Sequence, residues 1–303
     1  MLDDDLDDWC RRWLGAQPGE VLFEVAHLSR LVALRLSDGR EIVVKTRPPA
    51  PRLRACAAVH AHLWAAGFPC PQPLAGPAPL GALSATAESL MAGGELLVRT
   101  PEAPRLYAEA FNWLLRLAPP VAAVGTLAPP PAWVWWDNDQ PGTWPEPDDI
   151  VADLNAQPGP AWLEEAGRRA TDRLAQDDGL PVIGHCDWWS QNLRWQDGAL
   201  YAVHDWDSIA VRTKASFAGA ASAVFCATGA PGDAATIDES EAFLAAYERA
   251  RGRAWTADER QVCWAAGLWG RAFNARKMAE AGGGPELDVL RGEAPERLRR
   301  AGA

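Results

Sequence analysis

The stretch 182–207, VIGHCDWWSQNLRWQDGALYAVHDWD, sets His185, Asp187, Asn192 and Asp205 in a fixed order. An apolar pair, Val182 and Ile183, delivers a loop that carries Asp187 and, five residues on, Asn192. Residues 192–195 read as a short strand, Asp197-Gly198 as a hairpin turn, and 200–203 as the returning strand. A hairpin brings the chain back to where it left, so Asp205 ends beside the loop and the three polar side chains can converge. Such a strand, loop and hairpin must rest on a core, and 303 residues can bury a large one, as a single domain or as two lobes.

The residue types point to a chemistry. An amide and a carboxylate, here Asn192 and Asp205, offer the oxygen ligands a hard divalent cation takes. The remaining carboxylate, Asp187, can orient or deprotonate an attacking hydroxyl. Phosphoryl transfer uses such a set, because positioning and charge neutralisation supply most of its catalysis.

The order H-x-D-x-x-x-x-N and then D resembles the catalytic loop and metal-binding aspartate of protein kinases. The local form, His185-Cys186-Asp187 with Asp205-Trp206-Asp207, looks most like the aminoglycoside phosphotransferase and choline kinase family, where the pattern usually reads HGD-x-x-x-x-N and then I-D-W/F. Cys186 stands where glycine is usual, one small residue for another. The resemblance covers roughly residues 20–280. It implies an α+β, two-lobed protein-kinase-like fold: a small antiparallel β-sheet N-lobe with one helix over 1–91, which binds nucleotide, and a larger, mainly helical C-lobe over 92–303. It also implies transfer of the γ-phosphoryl of ATP or GTP, with Mg²⁺, to a small-molecule hydroxyl. Asp187 is then the catalytic residue. Asn192 and Asp205 hold the metal, with Asp207 assisting, and His185 is structural, bonding backbone to lock the loop.

Ahead of this stretch, 2–14 reads as a helix with Leu2, Leu6, Trp9, Trp13 and Leu14 on one face, and 21–25, 31–36 and 41–46 as strands. By the resemblance, the connection His27-Leu28-Ser29-Arg30 lies over the nucleotide phosphates, with Ser29 among them. Lys45 ends the third strand and is one of only three lysines among 29 basic residues. A lysine kept in an arginine-rich chain suggests a need for a compact ammonium, and in kinases a lysine here pairs with the α- and β-phosphates. By the resemblance, the helix over 52–66 should carry a glutamate for that lysine, but the position falls on Cys56, and no acid occurs between Pro51 and Ala66. Either another carboxylate holds Lys45 or the ion pair is dispensed with. His60 and His62 read as ordinary helix residues. By the resemblance, 84–91 and then 92–95 are the last strand of the small lobe, the hinge and the glycine after it, where backbone groups near Glu88, Ser89 and Leu90 would meet adenine.

After a helix over 104–118, residues 119–160 form an irregular insertion with ten prolines, the tryptophans Trp133, Trp135, Trp136 and Trp144, and the acids Asp137, Asp139, Asp148, Asp149 and Asp153. It is either a lid over a polyol or amine or a surface excursion whose tryptophans plug it to the core. Helices follow at 161–176, 215–228, 236–251, 256–280 and 285–300, two of them opened by the capping boxes Thr236–Glu239 and Thr256–Glu259. The expected acceptor contacts are Trp136, Asp137, Asp139, Trp189, Trp269 and Asn274. Trp188 and Trp189 read as anchors of the loop or walls of the site.

A net charge of −11 argues against a nucleic-acid partner and suits a cationic acceptor. Six scattered cysteines without C-x-x-C, no secretory signal and no apolar run of membrane-spanning length fit a cytoplasmic protein with no membrane partner, acting as a monomer or homodimer. The acceptor read first is an amine-bearing antibiotic or sugar, an activity tied to antibiotic resistance. An amino sugar, choline or ethanolamine is the alternative. A kinase-like binding module without catalysis is the rival from another class, favoured by the missing helix glutamate. A protein kinase is disfavoured by the absence of a glycine-rich loop and of a long activation segment with A-P-E following Asp205.

Overall fold

The computed structural model describes residues 4–26 and 29–303, so the expectations for Leu2, His27 and Leu28 lie outside the described residues. Helix α1 (Asp4–Leu14) is followed by β1 (Pro18–Ala26), β2 (Arg30–Leu36), β3 (Glu41–Arg47), α2 (Leu53–Ala65), β4 (Pro73–Leu80) and β5 (Leu83–Ser89). The five strands form one antiparallel sheet in the order β1-β2-β3-β5-β4. Side chains alternate along a strand, and this sheet uses the alternation to build two different faces. Val32, Leu34, Leu36, Ile42, Val44, Ala85 and Ala87 form a core with Leu6, Trp9, Cys10 and Leu14 of α1. Val43, Lys45, Thr86 and Glu88 turn the other way and line a cleft. Trp13, expected on the packed face of α1, is instead exposed with Arg12 over its ring.

Strand β4 (PLAGPAPL) has no counterpart among the sequence expectations, because its three prolines read as coil. It lies at the sheet's edge, where a missing N–H is tolerated. Helix α2 ends at Gly67, which adopts φ +79°. Its buried residues Ala55, Cys56, Val59 and Leu63 join the larger core with α3 (Ala103–Leu117), not the core under the sheet.

Beyond the insertion come α4 (Ala161–Leu174), β6 (Pro181–His185), β7 (Leu193–Gln196), β8 (Ala199–Val203), β9 (Ile209–Thr213), α5 (Lys214–Val224), α6 (Ile237–Arg251), α7 (Ala257–Glu280) and α8 (Pro285–Ala301). Both capping boxes are formed as expected. The hairpin β7–β8 turns at Asp197-Gly198, both with positive φ, the backbone a tight two-residue turn requires. Strand β9, absent from the sequence reading, pairs antiparallel with β6 and closes the catalytic stretch. No helix among the described residues is long and apolar enough to cross a membrane.

The insertion contains two single 3-10 turns, Val121–Ala123 and Ala132–Val134, and is otherwise irregular. Leu127, Ala132, Val134, Trp136, Trp144 and Leu154 are all buried in the larger core. Its tryptophans therefore plug it to the core, and the lid alternative is not what is built.

Candidate active site

Strand β6 ends at His185, paired with Ile209 of β9, and the loop that follows carries Asp187. Two hydrogen bonds set the loop's shape. Nδ1 of buried His185 accepts from the Asp187 N–H at 3.3 Å, and Nε2 donates to the His204 carbonyl at 2.9 Å. One ring nitrogen accepts and the other donates, as in a neutral imidazole, and burial pushes the His185 pKa down accordingly. Cys186 donates its thiol to the Ser208 carbonyl at 3.0 Å, and the Trp133 indole N–H donates to the Cys186 carbonyl at 2.9 Å.

The Asn192 amide donates to Asp187 Oδ2 at 2.7 Å and to the Asp187 carbonyl at 3.0 Å. Its own oxygen is left to face elsewhere. Burial raises the Asp187 pKa to about 7 and the charge of Asp205 adds to the rise, while the Asn192 hydrogen bond holds it down. Asp187 therefore titrates in the range suited to a general base.

Asp205 has φ +64°, a left-handed backbone that aspartate tolerates better than most residues. The turn is closed by Ser208, whose N–H donates to the Asp205 carbonyl at 3.0 Å and whose hydroxyl donates to Oδ2 at 2.5 Å. Between Asp205 and Asp207, Trp206 is buried. It donates to the Val203 carbonyl at 2.9 Å and stacks on His60 at 4.9 Å and 8°. His60 is itself buried and bonded to the Pro71 carbonyl at 2.8 Å. This role of His60 was not visible in the sequence.

The strand lysine answers the question left by Cys56. The Lys45 ammonium donates to Asp205 Oδ1 and, at 2.6 Å, to Asp207 Oδ1. Burial pushes the lysine pKa down, and the two carboxylates more than reverse it. Burial opposes ionisation of Asp205 too, but Lys45 and the surrounding hydrogen bonds hold that carboxyl well below the usual range. Asp207 is raised instead, by burial and then by the charge of Asp205. Arg47 forms a further ion pair with Asp207. From α2, Arg52 donates to the carbonyls of Asp207 (2.8 Å) and Ile209, and the Cys56 thiol faces the Asp207 carbonyl at 3.8 Å. Neither arginine was anticipated. The only sequence signal for them is a cation on the segments that flank Lys45 and Cys56.

Two carboxylate oxygens that converge on one ammonium suit a divalent cation equally well, with the ammonium as stand-in. Asp207 Oδ2 is engaged by Arg47, and the Asn192 oxygen adds a third candidate ligand. Among the described residues no three His, Cys, Asp or Glu side chains are preassembled as a metal cluster, so the set is two carboxylates and an amide.

The cleft beside these groups has a volume of about 890 Å³, and its lining includes Ser29, Lys45, Glu88, Ser89, Leu90, Met91, Asn192, Asp205 and Asp207. The N–H groups of Ser89 and Leu90 are already bonded to the Gln72 and Glu41 carbonyls at 2.9 Å each. They are therefore not free to meet a base. The chain has left the sheet by Met91, and the backbone N–H groups of residues 91–94 have no partner among the described residues.

Five of the expected acceptor contacts are absent from the cleft lining. Trp269 is fully buried against Trp144, ring centroids 5.4 Å apart, so it is core. Trp136 lies under Arg212 at 4.6 Å, and Asp137 forms a two-bonded ion pair with the same arginine at 2.6 and 3.0 Å. Arg212 faces Val182, three residues and about 10 Å along the strand from His185, at the far end from the loop. Asn274 is half-buried on α7 and does not line the cleft. Asp139 is exposed and also off the cleft lining. Trp189, two residues after Asp187, is half-buried, is also absent from that lining, and its indole N–H has no hydrogen-bond partner among the described residues.

The sequence pattern described as "Phosphotransferase enzyme family" matches residues 24–264, most of the chain. The chain belongs to this phosphotransferase family. Solved structures of similar fold include the amicoumacin kinase hAmiN in complex with AMP-PNP, Ca²⁺ and Ami, with TM-score 0.64, 10% identity, and coverage of 94% of this chain and 89% of that one. The aminoglycoside phosphotransferase APH(4)-Ia, as a thermostable mutant, gives 0.59 and 16%, covering 98% and 99%. The macrolide 2'-phosphotransferase MphH from Brachybacterium faecium gives 0.55 and 20%, covering 99% and 97%. No curated protein matches. The protein is thus a phosphotransferase, and the similarity to these structures is one of fold: an antiparallel-sheet lobe joined to a mainly helical one.

Proposed function

We propose that this phosphotransferase moves the γ-phosphoryl of ATP or GTP to a hydroxyl of an amine-bearing antibiotic or sugar. The observation that carries the proposal is the Lys45 ammonium held between Asp205 and Asp207, with Asp187 and Asn192 bonded to each other on the adjoining loop. In this reading residues 1–91 are the nucleotide-binding lobe, and 92–303 bring the catalytic loop and the acceptor side. Asp205, Asp207 and the Asn192 oxygen would hold Mg²⁺, which when bound neutralises phosphate charge. Lys45 and Arg47 would hold phosphate oxygens, Ser29 would lie at the cleft mouth, and backbone from Met91 onward would meet the base. Asp187 would accept the proton of the acceptor hydroxyl, with its rotamer fixed by Asn192 and its loop by His185. Trp189, two residues after Asp187 on the same loop, would touch the acceptor. A net charge of −11 favours a cationic acceptor. Similar folds solved with hygromycin B or Ami support an antibiotic, although identities of 14% and 10% carry no acceptor over to this chain.

The test is ADP release with Mg²⁺ and ATP or GTP across aminoglycosides, peptide and nucleoside antibiotics, amino sugars and choline. Acceptor-dependent release is expected, with Asp187→Asn slowing it by about 10²–10⁴-fold. Asp205→Asn should be nearly as damaging, and asparagine is the variant to use because it also tolerates the left-handed backbone at this position. If neither nucleotide is turned over or raises the melting temperature, the phosphoryl-transfer reading is wrong and a binding module without catalysis takes its place.

A further inference from the structure

Three carboxylates line the cleft: Glu88, Asp205 and Asp207. Two of them hold Lys45. The Glu88 side chain makes no hydrogen bond among the described residues, and a bare carboxylate in a cleft meant for a polyphosphate would repel its ligand. The sheet register shows what could neutralise it. Lys45 of β3 faces Thr86 of β5, so Glu88, two residues further along, projects to the same face one step along the diagonal. Diagonal neighbours lie about 7–8 Å apart, within the combined reach of a lysine and a glutamate.

The helix side offers no competing partner. No acid occurs from 51 to 66, and Cys56 is buried against the Asp207 carbonyl. Burial raises the Glu88 carboxyl to about 7, and the nearest opposing influence is the charge of Lys45.

We propose that Glu88 is the positioning residue for Lys45, supplying from β5 the carboxylate that α2 lacks at Cys56. The inference rests on the proposed function in one respect: Lys45 must give up Asp205 and Asp207 when those carboxylates hold a divalent cation. Its ammonium then needs a counter-charge that keeps it in the cleft and aimed at phosphate. Glu88 is the cleft carboxylate left to provide it. The ion pair thus runs within the sheet, between neighbouring strands of fixed register, and does not depend on where a helix sits.

Calorimetric titration of the imido analogue of ATP with Mg²⁺ tests this without turnover. Glu88→Gln removes no hydrogen bond seen in the fold and should melt no lower than the parent. Its dissociation constant should rise about tenfold or more, the loss expected when a charged group is deprived of its partner. The same substitution in a Lys45→Ala background should cause no further loss, because Glu88 acts through Lys45. Unchanged or tighter binding in Glu88→Gln would mean the carboxylate merely repels phosphate, and so would overturn the proposal. An equal loss with and without Lys45 would overturn it as well. Wild-type protein that neither turns over nor binds the analogue removes both this proposal and the function it rests on. Wild-type turnover with an indifferent Glu88→Gln removes this one alone.

Discussion

Asp187 carries a charge that its surroundings resist, and this has a signed consequence for stability. Its carboxyl is raised from 3.8 to about 7 in the fold, burial being the main cause. A raised carboxyl favours the folded protein below its unfolded pKa, and that contribution is lost as pH rises from about 4 through about 7. Without divalent metal, Asp187→Asn should therefore be more stable than wild type at pH 8–9, by on the order of 4 kcal/mol at most. The advantage should shrink steadily as pH falls towards 5. Chemical denaturation of both proteins across this range checks it, and a pH-independent difference would show that burial does not set the Asp187 charge. Asp187, Asn192 and Asp205 were legible because their order and spacing lie within one short stretch. Arg52 was not, since it meets Asp207 across 155 residues of sequence. Nor was the Lys45 partner: the sequence showed that the helix glutamate was missing, and only the register of β3 with β5 and the return of Asp205 and Asp207 showed which carboxylates stand near.

Elements were readable where local signals agree. The two capping boxes open α6 and α7 at the expected residues, and α7 runs to Glu280 as its periodicity required. Strands β4 and β9 were missed for opposite reasons. Proline content disguised the first, which tolerates it only as an edge strand. The second is five residues long and stands as a strand through pairing with β6, which lies far back in sequence. How closely two helices approach is also invisible to periodicity. Helices α5 and α7 cross at Gly219, where an added Cβ would lie 2.0 Å from the Cys263 carbonyl oxygen, and Gly267 faces the Gly219 carbonyl. Backbone cannot yield as a side-chain tip can. Gly219→Ala should destabilise by about 3 kcal/mol or more, at the upper end of overpacking costs, read as a lower denaturation midpoint. Gly252→Ala, at a helix end with no atom within 4 Å of an added Cβ but φ +70°, should show only the smaller cost of its backbone.

At the scale of the molecule, the kinase-like division into a sheet lobe and a helical lobe follows from the resemblance, but the use made of residues 119–160 does not. Their composition fits a solvent-facing lid and a core plug equally well, because tryptophan serves both and the sequence does not say what each ring touches. The structure decides through one buried arginine. Arg276 of α7 donates from Nη2 to the carbonyls of Leu154 (2.8 Å) and Gln157 (2.6 Å), and from Nε to Glu164 of α4 at 3.0 Å. Glu164 in turn accepts from the Trp144 indole at 2.7 Å, and Trp144 stacks on Trp269 of α7. The insertion is thereby bonded to two helices and counts as part of the fold. Removing the guanidinium would take a donor from the buried Leu154 carbonyl, from the Gln157 carbonyl and from Glu164, which keeps the Trp144 indole and the Gly159 N–H. Arg276→Met, which keeps much of the stem, should cost about 1–3 kcal/mol. It should also lower the stability of the helical lobe as one cooperative unit, with tryptophan fluorescence and helical circular dichroism lost together. A lid would behave differently: the same substitution would loosen the insertion alone, and fluorescence would change well before the helices melt.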